Sequence, residues 1–321
     1  MKAFDYSRAT DMSQAIGVNA GRLIAGGTNL LDLMKLEIET PERLTDINPI
    51  GLDEIEEKDG GLSIGALVTN SVCAADPRVR KHWPLLSRAI LAGASPQLRN
   101  QATTGGNLCQ RTRCGYFYDL SSACNKREPG SGCDALRGVN RNHAILGTSE
   151  SCIATYPGDM AVALAALDAT VLVEGPDGQR NIPLRKFHRL PEDTPWKDNV
   201  LRPSEVITSV TLPPPLGGRQ VYRKVRDRSS YAFALVSVAA VVVVESGRIS
   251  TARIALGSVA HKPWHDTAVD AMLAGHTPSP KLFADAADQM LADAQGHGGN
   301  DFKIELARRT LCAVLTEATK V

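Results

Sequence analysis

The sequence predicts an α+β protein of two or three modules. Three observations predict it. Helix-period and β-branched segments run mixed without an internal repeat, and two turns carry paired glycines. A proline-glycine stretch at 213–218 then divides the chain. At 321 residues, each module can have a core of its own. The formal charge of +1 gives no electrostatic basis for nucleic acid or an anionic membrane surface as the main partner. The longest apolar run, ALVSVAAVVVV (234–244), is β-branched and shorter than the ~18 residues of a membrane span. It is expected to be a buried strand, and no membrane insertion is expected.

Residues 1–50 read as a small α/β unit. DMSQAIGV (11–18) is a short helix; RLIAGGTNLLDLMKL (22–36) is strand, glycine turn and helix; RLTDIN (43–48) is a closing strand. GLDEIEEKDGGLSIGALVT (51–69) reads as an acidic turn and then the strand LSIGAL. SVCAADPRV and WPLLSRAILAGA (71–94) read as two helices, with Cys73 a small buried residue. HAILG (143–147) is a strand candidate, and YPGDMAVALAALDATVLVEGPDGQRNIPL (156–184) gives helix, strand, Asp-Gly turn and strand. LPEDTPWKDNVLRPSE (190–205) is loop-like, and EVITSVTLPPP (205–215) is a strand stopped by prolines. Beyond it come strands near 220–225, 234–244 and 249–257. Two or three helices follow, including 280–294 and 301–320, the latter with Cys312 as core.

AGGTNLL (25–31) puts two glycines, Thr28 and Asn29 at a strand-to-helix turn, and TTGGNL (103–108) repeats the chemistry. Backbone N–H groups converge in such turns, and glycine lets a phosphate approach them closely. Taken singly, each is also what an unliganded tight turn looks like. Taken together, they suggest a diphosphate gripped from two sides. Neither is G-x-G-x-x-G or G-x-x-x-x-G-K-[ST], which argues against a Rossmann site and a P-loop.

Four of the seven cysteines crowd one irregular stretch, CQRTRCGYFYDLSSACNKREPGSGC (109–133), and Cys152 follows. Disulfides, zinc and an iron–sulfur cluster compete for them. An odd, clustered set is unlike a disulfide framework. Structural zinc sites use paired short knuckles, and only Cys109-x4-Cys114 is short here.

AGGTNLL, SPQLRNQATTGGNL, YPGDMAVALAALDA and YRKVRDRSSYAFALVSVAA, in that order, resemble the FAD-binding subunit of the molybdenum hydroxylases. That family includes xanthine dehydrogenase, carbon monoxide dehydrogenase and the aldehyde oxidoreductases. The resemblance covers nearly the whole chain. It implies a two-subdomain FAD-binding fold of the vanillyl-alcohol-oxidase type with an inserted cysteine loop. The subdomains would be 1–56 and 57–215, the insertion about 109–152, and a small α+β domain would occupy 216–321. The implied FAD contacts are Ala25, Gly26, Gly27, Thr28, Asn29 and Leu30, with Thr103, Thr104, Gly105, Gly106 and Asn107 from the second loop. Asp159 is a further implied contact, in PGDM where relatives carry Ser-Asp; Gly158 replaces that serine. Asp159 could equally be the N-cap of MAVALAAL. Lys224 matches a basic residue near the flavin ring, where positive charge favours the anionic reduced form; its plain alternative is an exposed strand lysine.

Members of the family with an insertion after the second glycine loop bind a [4Fe–4S] cluster there. This chain resembles one such group, among bacterial aldehyde oxidoreductases. The resemblance implies Cys109, Cys114, Cys124 and Cys133 as ligands, with Cys152 in reserve. His143 is read as structural. Glycines of PGSGC (129–133) are expected to let N–H groups face cluster sulfurs, and Tyr116 and Tyr118 to pack the loop.

The implied role is an electron-transfer subunit with no catalytic side chain, the flavin being the redox group. Its implied partners are a large molybdenum-cofactor subunit, a small subunit with two [2Fe–2S] clusters, and an external acceptor such as a ferredoxin. The rivals are a self-sufficient flavin oxidoreductase and a zinc-stabilised binding module. The first residues, MKAFDYSRATDMSQAIGVNAG, show neither an apolar signal core nor a twin arginine. Export to the periplasm would therefore rely on a signal-bearing partner; the alternative is cytoplasmic residence.

Overall fold

Three sheets carry the architecture, a computed structural model that describes residues 1–16 and 21–320. The first is parallel: β1 (Asp5–Arg8) and β2 (Arg22–Ile24) flank β3 (Arg43–Asp46). The short helix α1 (Met12–Ala15) begins where Asp11 caps it, accepting from Gln14 N. Residues 17 and 18 of the expected helix lie outside the described residues. The glycine turn after β2 leads into α2 (Leu30–Lys35), as expected.

The second sheet is antiparallel throughout. It orders β4 (Ile55–Lys58), β5 (Gly61–Gly65), β8 (Val206–Leu212), β6 (Thr170–Gly175) and β7 (Gly178–Pro183) as β4-β5-β8-β6-β7. β4 crosses the boundary expected after residue 56, because Ile55 and Glu56 already pair with Ile64 and Ser63. Where two helices were expected there are three: α3 (Asn70–Ala75), α4 (Pro77–His82) and α5 (Pro84–Ala92). Asp76-Pro77 separates the first two. Proline cannot continue the helix, and the Asp76 carboxylate restarts it by accepting from Arg78 N and Val79 N. After the short helix α6 (Pro96–Arg99), the second glycine segment is not a turn but the short helix α7 (Thr104–Leu108), capped by Thr103.

In the third sheet β10 (Val236–Glu245) lies between β9 (Arg219–Val225) and β11 (Arg248–Gly257), all antiparallel. The apolar run in β10 is buried on both faces. Ala239 and Val241 face the core around α9 (Asp159–Ala166), whereas Val236, Val238, Ala240 and Val242 face the helices that follow. Those helices are α10 (Thr267–Leu273), α11 (Pro280–Met290) and α12 (Phe302–Ala318). Helix α9 is apolar all round and buried all round, wedged between the second and third sheets.

HAILG is not a strand. Ile145 N and Leu146 N both donate to Val259 O, and Ala144 N to Ile153 O, so the segment tucks under the third sheet as irregular buried chain. The cysteine insertion is equally irregular, with one short α-helix, α8 (Gly115–Tyr118), a 3-10 turn at Asp134–Leu136, and isolated bridges pairing Cys124 with Cys133 and Ser149 with Cys152. A charge network ties it down. Asp198 accepts from Lys126 Nζ at 2.5 Å and Arg111 Nε at 2.8 Å, and Arg111 also reaches Glu39 in the first subdomain at 3.2 Å. Burial alone would raise the Asp198 carboxyl, but Lys126 and Arg111 outweigh it and hold it below the usual carboxylate range.

Candidate functional site: a two-loop cleft beside a thiol nest

A cleft of about 1540 Å³ runs between the first and second sheets. That exceeds the ~300–1,000 Å³ of sites for drug-sized ligands and suits a dinucleotide. Both glycine loops line it. Of the residues expected there, Ala25 to Leu30, Thr103, Gly105, Gly106, Asn107, Asp159 and Lys224 all lie on its wall. Thr104 sits behind it, its N–H and hydroxyl both given to Val68 O.

The loops are packed on each other. A Cβ on Gly26 would fall 1.9 Å from Gln101 O, a backbone atom leading into the second loop. Gly27 has φ +70°, where side chains are strained. Several side chains expected to grip a ligand spend their polar groups on the frame. Thr103 Oγ1 accepts from Gly106 N, Asn29 Oδ1 accepts from Arg111 N, and Asn107 Nδ2 donates to Asn70 Oδ1. In the second segment the N–H groups of Thr104, Gly105, Gly106 and Asn107 are likewise given to Val68 O, Ala66 O, Thr103 Oγ1 and Thr103 O, so it offers a diphosphate its shape, and backbone donors would come from the first loop.

At the far end, Lys224 and Asp159 form an ion pair at 2.8 Å, their side chains only 4% and 9% exposed. Lys224 Nζ also donates to Ala92 O, so it is not an exposed strand lysine. Nor is Asp159 the N-cap; that position is Gly158, and the Asp159 carboxylate accepts from Tyr222 Oη at 2.6 Å instead. Burial, then the Asp159 charge, raises Tyr222 well above the ordinary phenol value, keeping it a donor. The glycine at 158 has a local cause: a Cβ would meet the Tyr156 ring at 2.6 Å. Sequence reasoning missed Arg111, Arg113 and the 196–207 tract, all of which line the cleft. Arg113 stacks over Phe233, 5.3 Å from its centroid.

The five cysteines near the cleft separate into two environments. Cys114 and Cys124 pack together with Phe117 and Leu33, and Cys114 feels the charge of Cys124 and Cys133. The neighbouring Cys152 side chain and, against desolvation, the N–H groups of Ile153, Ala135 and Leu136 lower the Cys133 pKa to about 6, while Cys152 itself is raised above the usual thiol value. Backbone N–H groups of Phe117 and Tyr116 likewise face Cys114, and that of Ala154 faces Cys152. Two histidines complete the nest: His143 Nε2 lies 3.1 Å from Cys114 Sγ, and His261 Nε2 lies 3.3 Å from Cys152 Sγ.

Cys109 stands elsewhere. It lines the cleft and packs against the central core, burial pushes its thiol up to about 11, and its charged neighbours are Arg22 and Asp198. The structure therefore brings Cys114, Cys124 and Cys133 together with the reserve Cys152. The donors around the sulfurs also differ from expectation. Gly130 N and Gly132 N of PGSGC point at Asn125 Oδ1, and the N–H groups facing sulfur come from 116–117, 135–136 and 153–154. Among the described residues, no group of three or more His, Cys, Asp or Glu side chains is already gathered at metal-holding distance. The nest nonetheless has the donor chemistry of a cluster site: four thiols, three of them (Cys114, Cys133 and Cys152) approached by backbone N–H groups.

Comparison with known proteins agrees over the whole chain. Residues 2–215 match the family described as the FAD binding domain in molybdopterin dehydrogenase, and residues 220–318 match the CO dehydrogenase flavoprotein C-terminal domain. The chain is 55% identical to the aldehyde oxidoreductase FAD-binding subunit PaoB of Escherichia coli, covering 99% of both chains. It is 26% identical to the carbon monoxide dehydrogenase medium chain of Afipia carboxidovorans, covering 95% of this chain and 93% of that one. Among solved structures, carbon monoxide dehydrogenase from Hydrogenophaga pseudoflava, in a form lacking the Mo-pyranopterin moiety, superposes with a TM-score of 0.77. It is 26% identical, and the match covers 99% of this chain and 97% of that chain.

Proposed function

This chain belongs to the FAD-binding medium subunits of the molybdenum hydroxylase family, and from that premise we propose that it relays electrons released from an aldehyde on a partner subunit to an external acceptor. It is an oxidoreductase subunit whose relatives work as parts of multi-subunit complexes. In the proposed assembly a large subunit holds the molybdenum cofactor and a small one holds [2Fe–2S] clusters. The acceptor is a one-electron carrier of the ferredoxin kind. A signal-bearing partner would take the folded chain to the periplasm.

The observation that carries this reading is the shared wall. The cleft lined by both glycine loops is also lined by Cys109, Arg113 and Tyr118 of the cysteine insertion. The cleft would hold a flavin, which supplies storage for two electrons exchanged one at a time, and the thiol nest beside it would hold a [4Fe–4S] cluster as a one-electron carrier. The residues of this chain do the holding. The first glycine loop would cradle the diphosphate with backbone groups while the second shapes the wall against it, Lys224 presents its charge from beside Asp159, and Arg113 lines the wall next to Cys114. For the cluster ligands we propose Cys114, Cys124, Cys133 and Cys152, which leaves Cys109 in the flavin cleft.

Anaerobic mixing with an aldehyde tests the relay. In the complex assembled from all three subunits, the flavin absorbance is expected to bleach within a turnover. The isolated chain, given the same aldehyde, should keep its flavin oxidised. Rapid bleaching of the isolated chain would overturn the relay and make this a self-sufficient oxidoreductase.

A further inference from the structure

His143 and His261 come from segments 118 residues apart, yet each turns the same ring atom to a sulfur of the nest. His143 Nε2 is 3.1 Å from Cys114 Sγ, and His261 Nε2 is 3.3 Å from Cys152 Sγ. Both residues are buried, and in both the other ring nitrogen, Nδ1, has no hydrogen-bond partner among the described residues. Once the sulfurs are thiolates holding a cluster, this geometry selects the tautomer. A ring protonated only on Nδ1 would bury an N–H donor with no acceptor among the described residues and aim a lone pair at a negative sulfur. With the proton on Nε2, the donor meets the sulfur and only the Nδ1 lone pair goes unmet.

Resting on the cluster reading above, we infer that His143 and His261 are paired N–H···S donors to two cluster ligands, Cys114 and Cys152, and that they set the cluster's reduction potential. Reduction adds negative charge, which spreads onto the thiolates. An N–H aimed at a thiolate stabilises the reduced state more than the oxidised one and raises the potential. The rings are held for this role from outside the nest. His143 O accepts from Lys303 Nζ at 2.8 Å, a buried lysine of α12, and from Asn300 Nδ2 at 3.3 Å. The segment before His261 is pinned by Tyr156 N donating to Ala260 O. Removing either ring therefore leaves its backbone anchors in place. Two donors on two different ligands would raise the cluster's potential together.

The test is a redox titration followed by electron paramagnetic resonance on the FAD-loaded chain, comparing wild type with His143→Phe, His143→Gln and His261→Phe. Each Phe variant should keep wild-type iron and flavin. Its cluster midpoint should fall by roughly tenfold in the equilibrium constant, ~59 mV for one electron. His143→Gln, whose amide N–H can reach the sulfur, should recover part of the shift. Unchanged midpoints in the Phe variants would overturn the inference. So would loss of their iron with flavin retained, which would make an imidazole a ligand. A wild-type chain without cluster iron would instead sink the cluster reading and this inference with it. If His261→Phe does not fold, the two His143 variants decide.

Discussion

Gly26→Ala is expected to purify with little or no flavin. The added Cβ has no space, since it would lie 1.9 Å from Gln101 O, and that oxygen is backbone and cannot rotate away. One glycine loop must move off the other, and the cleft between them opens. Overpacking of this kind costs about 1–3 kcal/mol, and every ~1.4 kcal/mol of lost binding is tenfold in affinity. Flavin affinity should fall by roughly 5- to 150-fold, read by fluorescence of released FAD or by calorimetry. Gly115→Ala is the matched control, because a Cβ there meets nothing within 4 Å. If Gly26→Ala binds flavin as wild type does, the two loops do not act as one cradle.

Cys152→Ser should lose the cluster iron, as should Cys124→Ser, while Cys109→Ser keeps it. Serine is nearly isosteric, so the contrast reads ligation rather than packing. A [4Fe–4S] cluster deprived of one thiolate is expected to lose most of its roughly four irons on purification, with flavin still bound. The distinction rests on what surrounds each sulfur. Cys133 and Cys152 share a hydrogen bond and face backbone N–H groups, whereas Cys109 sits in the cleft wall near Arg22 and Asp198. Retention of iron by Cys152→Ser together with its loss from Cys109→Ser would return the fourth ligand to Cys109. Loss of flavin along with iron would mean that the insertion holds the cleft's shape.

The two glycine loops were legible because their chemistry is local. A turn that needs glycine declares itself in four or five letters, and the cleft then gathers both. Lys224 was legible through the family motif, but its partner was not, since no spacing announces that a residue 65 positions earlier will pair with it. The cysteines were legible as a group, but which of them the fold gathers was not. Counting spacings favours the four nearest in sequence, whereas the chain closes the nest with Cys152, whose neighbouring N–H groups come from residues 153 and 154. His143 and His261 carry no sequence signal at all; only the fold brings them to sulfur. Among the strands, β1 and β4 escaped notice because their side chains are almost all exposed, so no apolar alternation marks them. HAILG misled for the opposite reason: its apolar residues are buried by the third sheet without joining it.

The most direct test of the whole account is the cofactor content of the anaerobically purified chain, read by visible spectrum together with flavin and iron assay. The account predicts about one FAD and about four irons per chain. It also predicts flavin bands riding on a broad iron–sulfur shoulder that bleaches on reduction. A colourless protein with zinc in place of iron would contradict it. Flavin without iron would leave the family assignment standing and remove the cluster.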